Sequence, residues 1–150
     1  MKLRTKARGI ALQALYEIDL TGHSAPQVLT ERLLDTPVDN DLAEFASQIV
    51  MGVLPLVQIL DSFIAQHAPE WPLDQVAAID RNILRMALWE FAVQGTAPLK
   101  VAINEAIELS KIYGSDSTPR FVNGVLGSLA ARQNEIKQTF GPLRKSESGH

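Results

Sequence analysis

Lys2, Arg4, Lys6 and Arg8 place four cations at every second position, and no acid occurs among the first sixteen residues. If this stretch opens a helix, each cation sits where the dipole end is already positive and costs ~0.3–1 kcal/mol. Something outside the chain should therefore favour them. A phosphate backbone does so by ion pairing and counterion release, and on a helix Arg4 and Arg8 fall on one face, a turn apart. Gln13 and Tyr16 lie further along the same segment. They offer an amide to hydrogen-bond a base edge and a ring on which a base can stack. The plainer alternative is a solvated basic tail.

The rest of the charge is uneven. Residues 17–80 hold eleven acids against Arg32 alone, residues 81–150 hold nine bases against six acids, and the whole chain carries −3. A basic arm beside an acidic half suggests two partners, one anionic and one cationic.

Catalysis finds no candidate site. Cysteine is absent, which removes thiolate nucleophiles, thiolate metal ligands and disulfides, and fits an intracellular setting. His23, His67 and His150 stand far apart with no companion ligands, so no metal site is expected. Glu105 and Glu108 could share a helix face as paired carboxylates. Lys111 follows Glu108 at i+3, however, which points to an exposed face, and no matching ligand set occurs elsewhere. Asp35, Asp39 and Asp41 flank a loop, where solvation and helix capping explain them. There is neither a glycine-rich phosphate loop nor a serine nucleophile motif, and no cofactor is expected. Asp80, Arg81 and Arg85 lie at the margin of an apolar stripe, where an internal ion pair weighs evenly against a contact surface. Trp71 and Trp89 read as core anchors rather than binding platforms.

The elements that must position these residues are helical. Ala7, Ile10, Ala11, Ala14, Leu15 and Ile18 recur at i, i+3, i+4, i+7, and Gly22 stops that helix. Ser24 with Gln27 has a capping-box spacing, opening a short second helix that ends by Pro37. Asp39 or Asn40 caps a third, with a stripe from Leu42 to Ile64 in which Pro55 should produce a kink. Residues 68–73, with Pro69 and Pro72 around Trp71, break the period and mark a junction between two helical halves. Beyond it one amphipathic helix ends at Gly95, a second opens at Thr96 and Pro98 and stops at Gly114, and a last one opens at Thr118 and Pro119. Residues 141–150 read as a frayed tail. No alternating strand appears. With 46% hydrophobic and 21% charged residues and a mean hydropathy of +0.02, 150 residues suffice for one core. The longest wholly apolar run, residues 49–57, is nine residues with a glycine and a proline inside, which excludes a membrane span on this count.

Four segments carry a resemblance. ARGIALQALYE at 7–17, DRNILRMALWE at 80–90, VAINEAIELSKIYG at 101–114 and RFVNGVL at 120–126 are similar, in order and spacing, to the bacterial NusB family over nearly the whole chain. The resemblance implies an all-α fold of two packed three-helix sub-bundles, about 1–67 and 73–140, plus a short extra helix, in one domain over 1–140. It implies a cytoplasmic transcription antitermination factor, not an enzyme. Such a protein binds single-stranded boxA RNA of ribosomal RNA operons as a heterodimer with the ribosomal protein NusE, and joins RNA polymerase with NusA and NusG.

Carried over by position, Lys2, Arg4, Lys6 and Arg8 match the family's basic N-terminal motif, and Gln13 and Tyr16 match its first-helix RNA contacts. Asp80, Phe121 and Asn123 match positions near the RNA and partner surface. Glu17, Leu20 and Arg81 are nominated for the NusE surface. Thr5 and Ala7 dilute the arm relative to the family's denser arginine run, which makes the heterodimer the expected binding unit. Two other readings compete. One is an interaction module without RNA specificity, a homodimer whose arm packs on a neighbour. The other is the RNA-binding domain of an RNA cytosine methyltransferase, which would need a cofactor-binding sheet and a catalytic cysteine beyond residue 150.

Overall fold

The computed structural model describes residues 2–67, 75–95 and 97–148, with the side chains of His67 and residues 143–148 left aside. Among the described residues eight α-helices follow one another: α1 (Leu3–Thr21), α2 (Ala25–Asp35), α3 (Asn40–Val53), α4 (Val57–His67), α5 (Ala78–Leu88), α6 (Leu99–Tyr113), α7 (Thr118–Ala130) and α8 (Gln133–Ser148). No strand occurs among the described residues.

α1 is the central helix, because its sequence is apolar or small on nearly every side. From Ala7 to Leu15 all residues but Gln13 are buried. It packs on α2 and α3 on one side and on α5 and α6 on the other. The core is therefore one continuous cluster, from Val28 and Ile49 through Leu15 to Ile83, Leu109 and Val125. Glycines close two of the turns: Gly22 and Gly95 end their helices with φ of 75° and 72°, a backbone region that costs a residue with a Cβ far more.

Capping chemistry is only partly as expected. The Asp39 side chain accepts the Leu42 N–H at 3.0 Å and starts α3. The Ser24–Gln27 capping box does not form: Ser24 precedes α2 without a side-chain bond, and the Gln27 amide donates to Glu31 a turn further on.

Pro55 does not break the helical run. It sits in a single 3-10 turn, Leu54–Leu56, between α3 and α4, where the missing N–H is absorbed by local tightening. Contrary to the expectation from its longest wholly apolar stretch, the run Asn40–Gln66 is, by length and composition alone, long and apolar enough to cross a membrane. Its apolar stripe is nonetheless occupied within the bundle, with Ala46, Ile49, Val50, Val53, Leu60, Phe63 and Ile64 all in the core. Gly52 on this run lies under the Trp89 indole, where a Cβ would overlap the ring. Trp89 is accordingly the core anchor expected of it. Trp71 and the junction at 68–73 fall outside the described residues.

The far end of the chain departs from expectation. Instead of fraying at Gly141, α8 runs from Gln133 to Ser148 with Pro142 inside it. Ile136 and Phe140 are fully buried and seat the helix, Phe140 against the Phe63 ring at 5.4 Å between centroids. Lys137 caps the contact, its ammonium 5.1 Å from the Phe91 ring centre.

Candidate nucleic-acid interface

The first turns of α1 separate the four cations. On a helix, alternate positions scatter around the axis, so residues chosen by twos cannot all face one ligand. Lys2, Arg4 and Lys6 are exposed, and among the described residues no carboxylate lies within ion-pair range of any of them. Thr5, Ala7 and Arg8 turn inward.

Arg8 is thus no surface cation. Its Nε and Nη2 donate to Glu90 Oε1 at 3.0 and 2.9 Å, and its Nη1 lies 3.3 Å from Glu105 Oε2. Thr5 Oγ1 donates to the same Glu105 oxygen at 3.0 Å. The placement of Arg8 on an RNA-facing surface is therefore corrected: it closes a buried ion cluster between α1, α6 and the turn after α5. That turn, Trp89–Gln94, is a π-helix whose last bond runs from Gly95 N–H to the Glu90 carbonyl five residues back. The wider turn leaves Glu90 buried where Arg8 reaches it. Glu105, read as part of an exposed face, is half-buried against Arg8 and Thr5 of α1, whereas Glu108 is exposed.

Arg4 and Arg8 do share a face, and it is occupied by Phe45 of α3. Their guanidinium carbons lie 4.7 and 5.2 Å from its ring centre.

A second polar cluster ties α1 to α4 and α5. Arg81 Nε donates to Asp19 Oδ2 at 2.8 Å, and Asn82 and Arg85 donate to the same oxygen at 3.0 and 3.1 Å. Arg85 also grips Asp61 with two bonds of 2.7 and 2.6 Å. For Arg81 and Arg85 the internal ion pair is what forms. Burial pushes the Asp19 carboxyl up, but the hydrogen bonds from Arg81 and Asn82 and the charges of Arg85 and Arg81 outweigh it and hold its pKa below the usual value. Burial likewise works against the Arg85 charge, and Asp61 and Asp19 more than restore it.

A depressed carboxylate pKa contributes stability that is present above the unfolded value, about 3.9, and is lost as pH falls through the lower folded value. Asp19→Asn should therefore lower unfolding stability at neutral pH by ~1–3 kcal/mol. The gap to wild type should narrow as pH drops below about 4, followed by circular-dichroism melts across pH. A gap that stays constant into acid would contradict this assignment.

The remaining nominees gather by twos and threes. Gln13, Tyr16, Glu17 and Leu20 of α1 line one open groove with Ile79 and Tyr113, so residues nominated for RNA and for a protein partner share a surface. Tyr16 and Leu20 are exposed there. The Gln13 amide is partly engaged, donating to Tyr113 Oη at 3.3 Å. Tyr113 crosses α1 at Gly9, where a Cβ would overlap the phenol. Asp80 makes no ion pair with its arginine neighbours. It accepts from the buried Thr118 Oγ1 at 2.9 Å and ties the start of α5 to the start of α7. On α7, Phe121 is half-buried and Asn123 exposed.

Sequence reasoning missed Asp19, Asp61 and Glu90 as partners. A signal existed for the last: Arg8 stands at i−3, i−4 and i−7 from Ala11, Leu12 and Leu15, inside the stripe rather than beside it. Among the described residues no group of three potential ligands could hold a metal.

Comparison with known proteins bears on this arrangement directly. The NusB family model matches residues 5–131. The transcription antitermination protein NusB of Dehalococcoides mccartyi is 47% identical over 127 residues, 85% of this chain and 89% of that protein. T. maritima NusB superposes with a TM-score of 0.76 at 30% identity, covering 96% of each chain. A structure of the antitermination factors NusB and NusE in complex with double-stranded RNA contains a chain with a TM-score of 0.76 at 26% identity, covering 93% of this chain and 98% of that one. With matched residues spanning α1 to α7, this chain belongs to the NusB family.

Proposed function

We propose that the protein is a transcription antitermination factor, not an enzyme, that binds RNA through the exposed end of α1 and works as a heterodimer with NusE. The observation that carries the reading is that Lys2, Arg4 and Lys6 are exposed with no carboxylate partner among the described residues, while Arg8 beside them is buried and paired. The family relationship and a neighbour solved with NusE and RNA support it. The RNA is single-stranded boxA of ribosomal RNA operons, and the complex joins RNA polymerase with NusA and NusG in the cytoplasm. Tyr16 supplies a stacking face and Gln13 an amide. Asp80, Phe121 and Asn123 are the further RNA contacts of this reading, and Glu17, Leu20 and Arg81 its NusE contacts.

Removing Arg8 from the contact set changes the expected salt dependence. Three phosphate contacts at roughly −0.7 each give a log–log slope near −2 for single-stranded RNA, rather than about −3 for four. Fluorescence anisotropy of a labelled boxA-type RNA, with and without NusE, measures both affinity and slope. Arg4→Ala/Lys6→Ala should weaken binding and flatten the slope to about −0.7. Equal affinity for boxA and scrambled RNA, with or without NusE, would defeat the reading in favour of an interaction module that lacks RNA specificity.

A further inference from the structure

Arg4 differs from the other two free cations in one respect: it has a platform. Its guanidinium carbon lies 4.7 Å from the centre of the Phe45 ring, yet the side chain makes no hydrogen bond or ion pair among the described residues. All of its donors are therefore available to a ligand, while its position is held by the ring. Lys2 and Lys6 have no such support.

The ring itself is held. Phe45 is half-buried and packs against the core, and Arg8 lies 5.2 Å from the same ring centre. Arg8 in turn is gripped by Glu90 and Glu105. The Arg8 charge beside the ring is thus met by these two carboxylates. A flexible arginine loses rotamer freedom when it engages a phosphate, and one already stacked on a ring loses less.

We infer that Phe45 is a positioning residue for RNA binding, its ring holding the Arg4 guanidinium ready for a backbone phosphate. The inference rests on the RNA-binding reading above. It assigns to α3, which carries none of the nominated contact residues, a part in the affinity of the α1 arm.

The test is a double-mutant cycle on the full chain with NusE, using a labelled single-stranded boxA-type RNA at low salt. Phe45→Leu keeps an apolar side chain and removes the ring's negative face. It should weaken binding about two- to five-fold, the range expected of an exposed cation–π contact. In the Arg4→Ala background Phe45→Leu should have no further effect, and Phe45→Tyr should restore wild-type affinity. A purely structural role would lower affinity equally in both backgrounds, and that result overturns the inference, as does unchanged binding by Phe45→Leu. If wild type itself does not prefer this RNA over a scrambled sequence, the RNA-binding reading fails, and the inference falls with it for that separate reason.

Discussion

Arg8→Ala is expected to lose about 3–5 kcal/mol of unfolding stability, because it leaves two inward carboxylates without their cation. The side chains of Glu90 and Glu105 are 8% and 16% exposed, so neither can recover the loss by turning to water without moving its helix. For a chain of this size the melting temperature should fall by roughly 6–20 °C. The damage should be repairable from the other side. Glu90→Gln in the Arg8→Ala background removes one stranded charge and should regain part of the loss, which separates the charge effect from simple loss of packing. The contrast with Arg4→Ala is the informative comparison. Arg4 is exposed and without a carboxylate, so its removal should leave the melt within about 0.5 kcal/mol of wild type and act on RNA affinity. If Arg8→Ala melts like wild type and loses RNA binding, Arg8 faces the ligand and the ion cluster does not hold in solution.

This pair of residues shows what was legible in the sequence. Helix periods are a property of single segments, so six helices could be read from apolar spacing, α3 and α4 as one kinked at Pro55, and Gly22 and Gly95 end helices where the chain turns. Whether a charged residue on a helix points to solvent or to a partner depends on what another helix brings opposite. Arg8 and Arg4 are one turn apart and alike in type, but only Arg8 meets Glu90 and Glu105, from segments 82 and 97 residues away along the chain. Glu105 was misread for the same reason: Lys111 suggested an exposed face, and Thr5 and Arg8, its actual partners, lie at the other end of the chain. The capping box at Ser24 failed differently: the local pattern is present, but Ser24 makes no cap bond and the Gln27 NH2 donates instead to Glu31 a turn on.

The helix that sequence patterning missed altogether carries the other large effect. Gln133–Ser148 has few apolar residues and a glycine followed by proline, which argues for a tail by composition. What holds it is tertiary. Phe140 is fully buried against Phe63, and Lys137 covers Phe91. Phe63 belongs to the first half of the chain and Phe91 to the second, so α8 straps the two together. It lies beyond the residues matched by the family model, which end at 131. Phe140→Ala should therefore cost about 3–5 kcal/mol, as emptying a buried aromatic site does. A Pro142→Ala change, which restores a helix N–H close to the same turn, should be neutral or stabilising. Hydrogen exchange distinguishes the possible outcomes. In Phe140→Ala, protection should fall in α8 and also in α4 and the π-turn that it bridges. If α8 amides exchange as fast in wild type as in the variant, and the melt is unchanged, the helix is not docked and Phe63 and Phe91 are covered by something else.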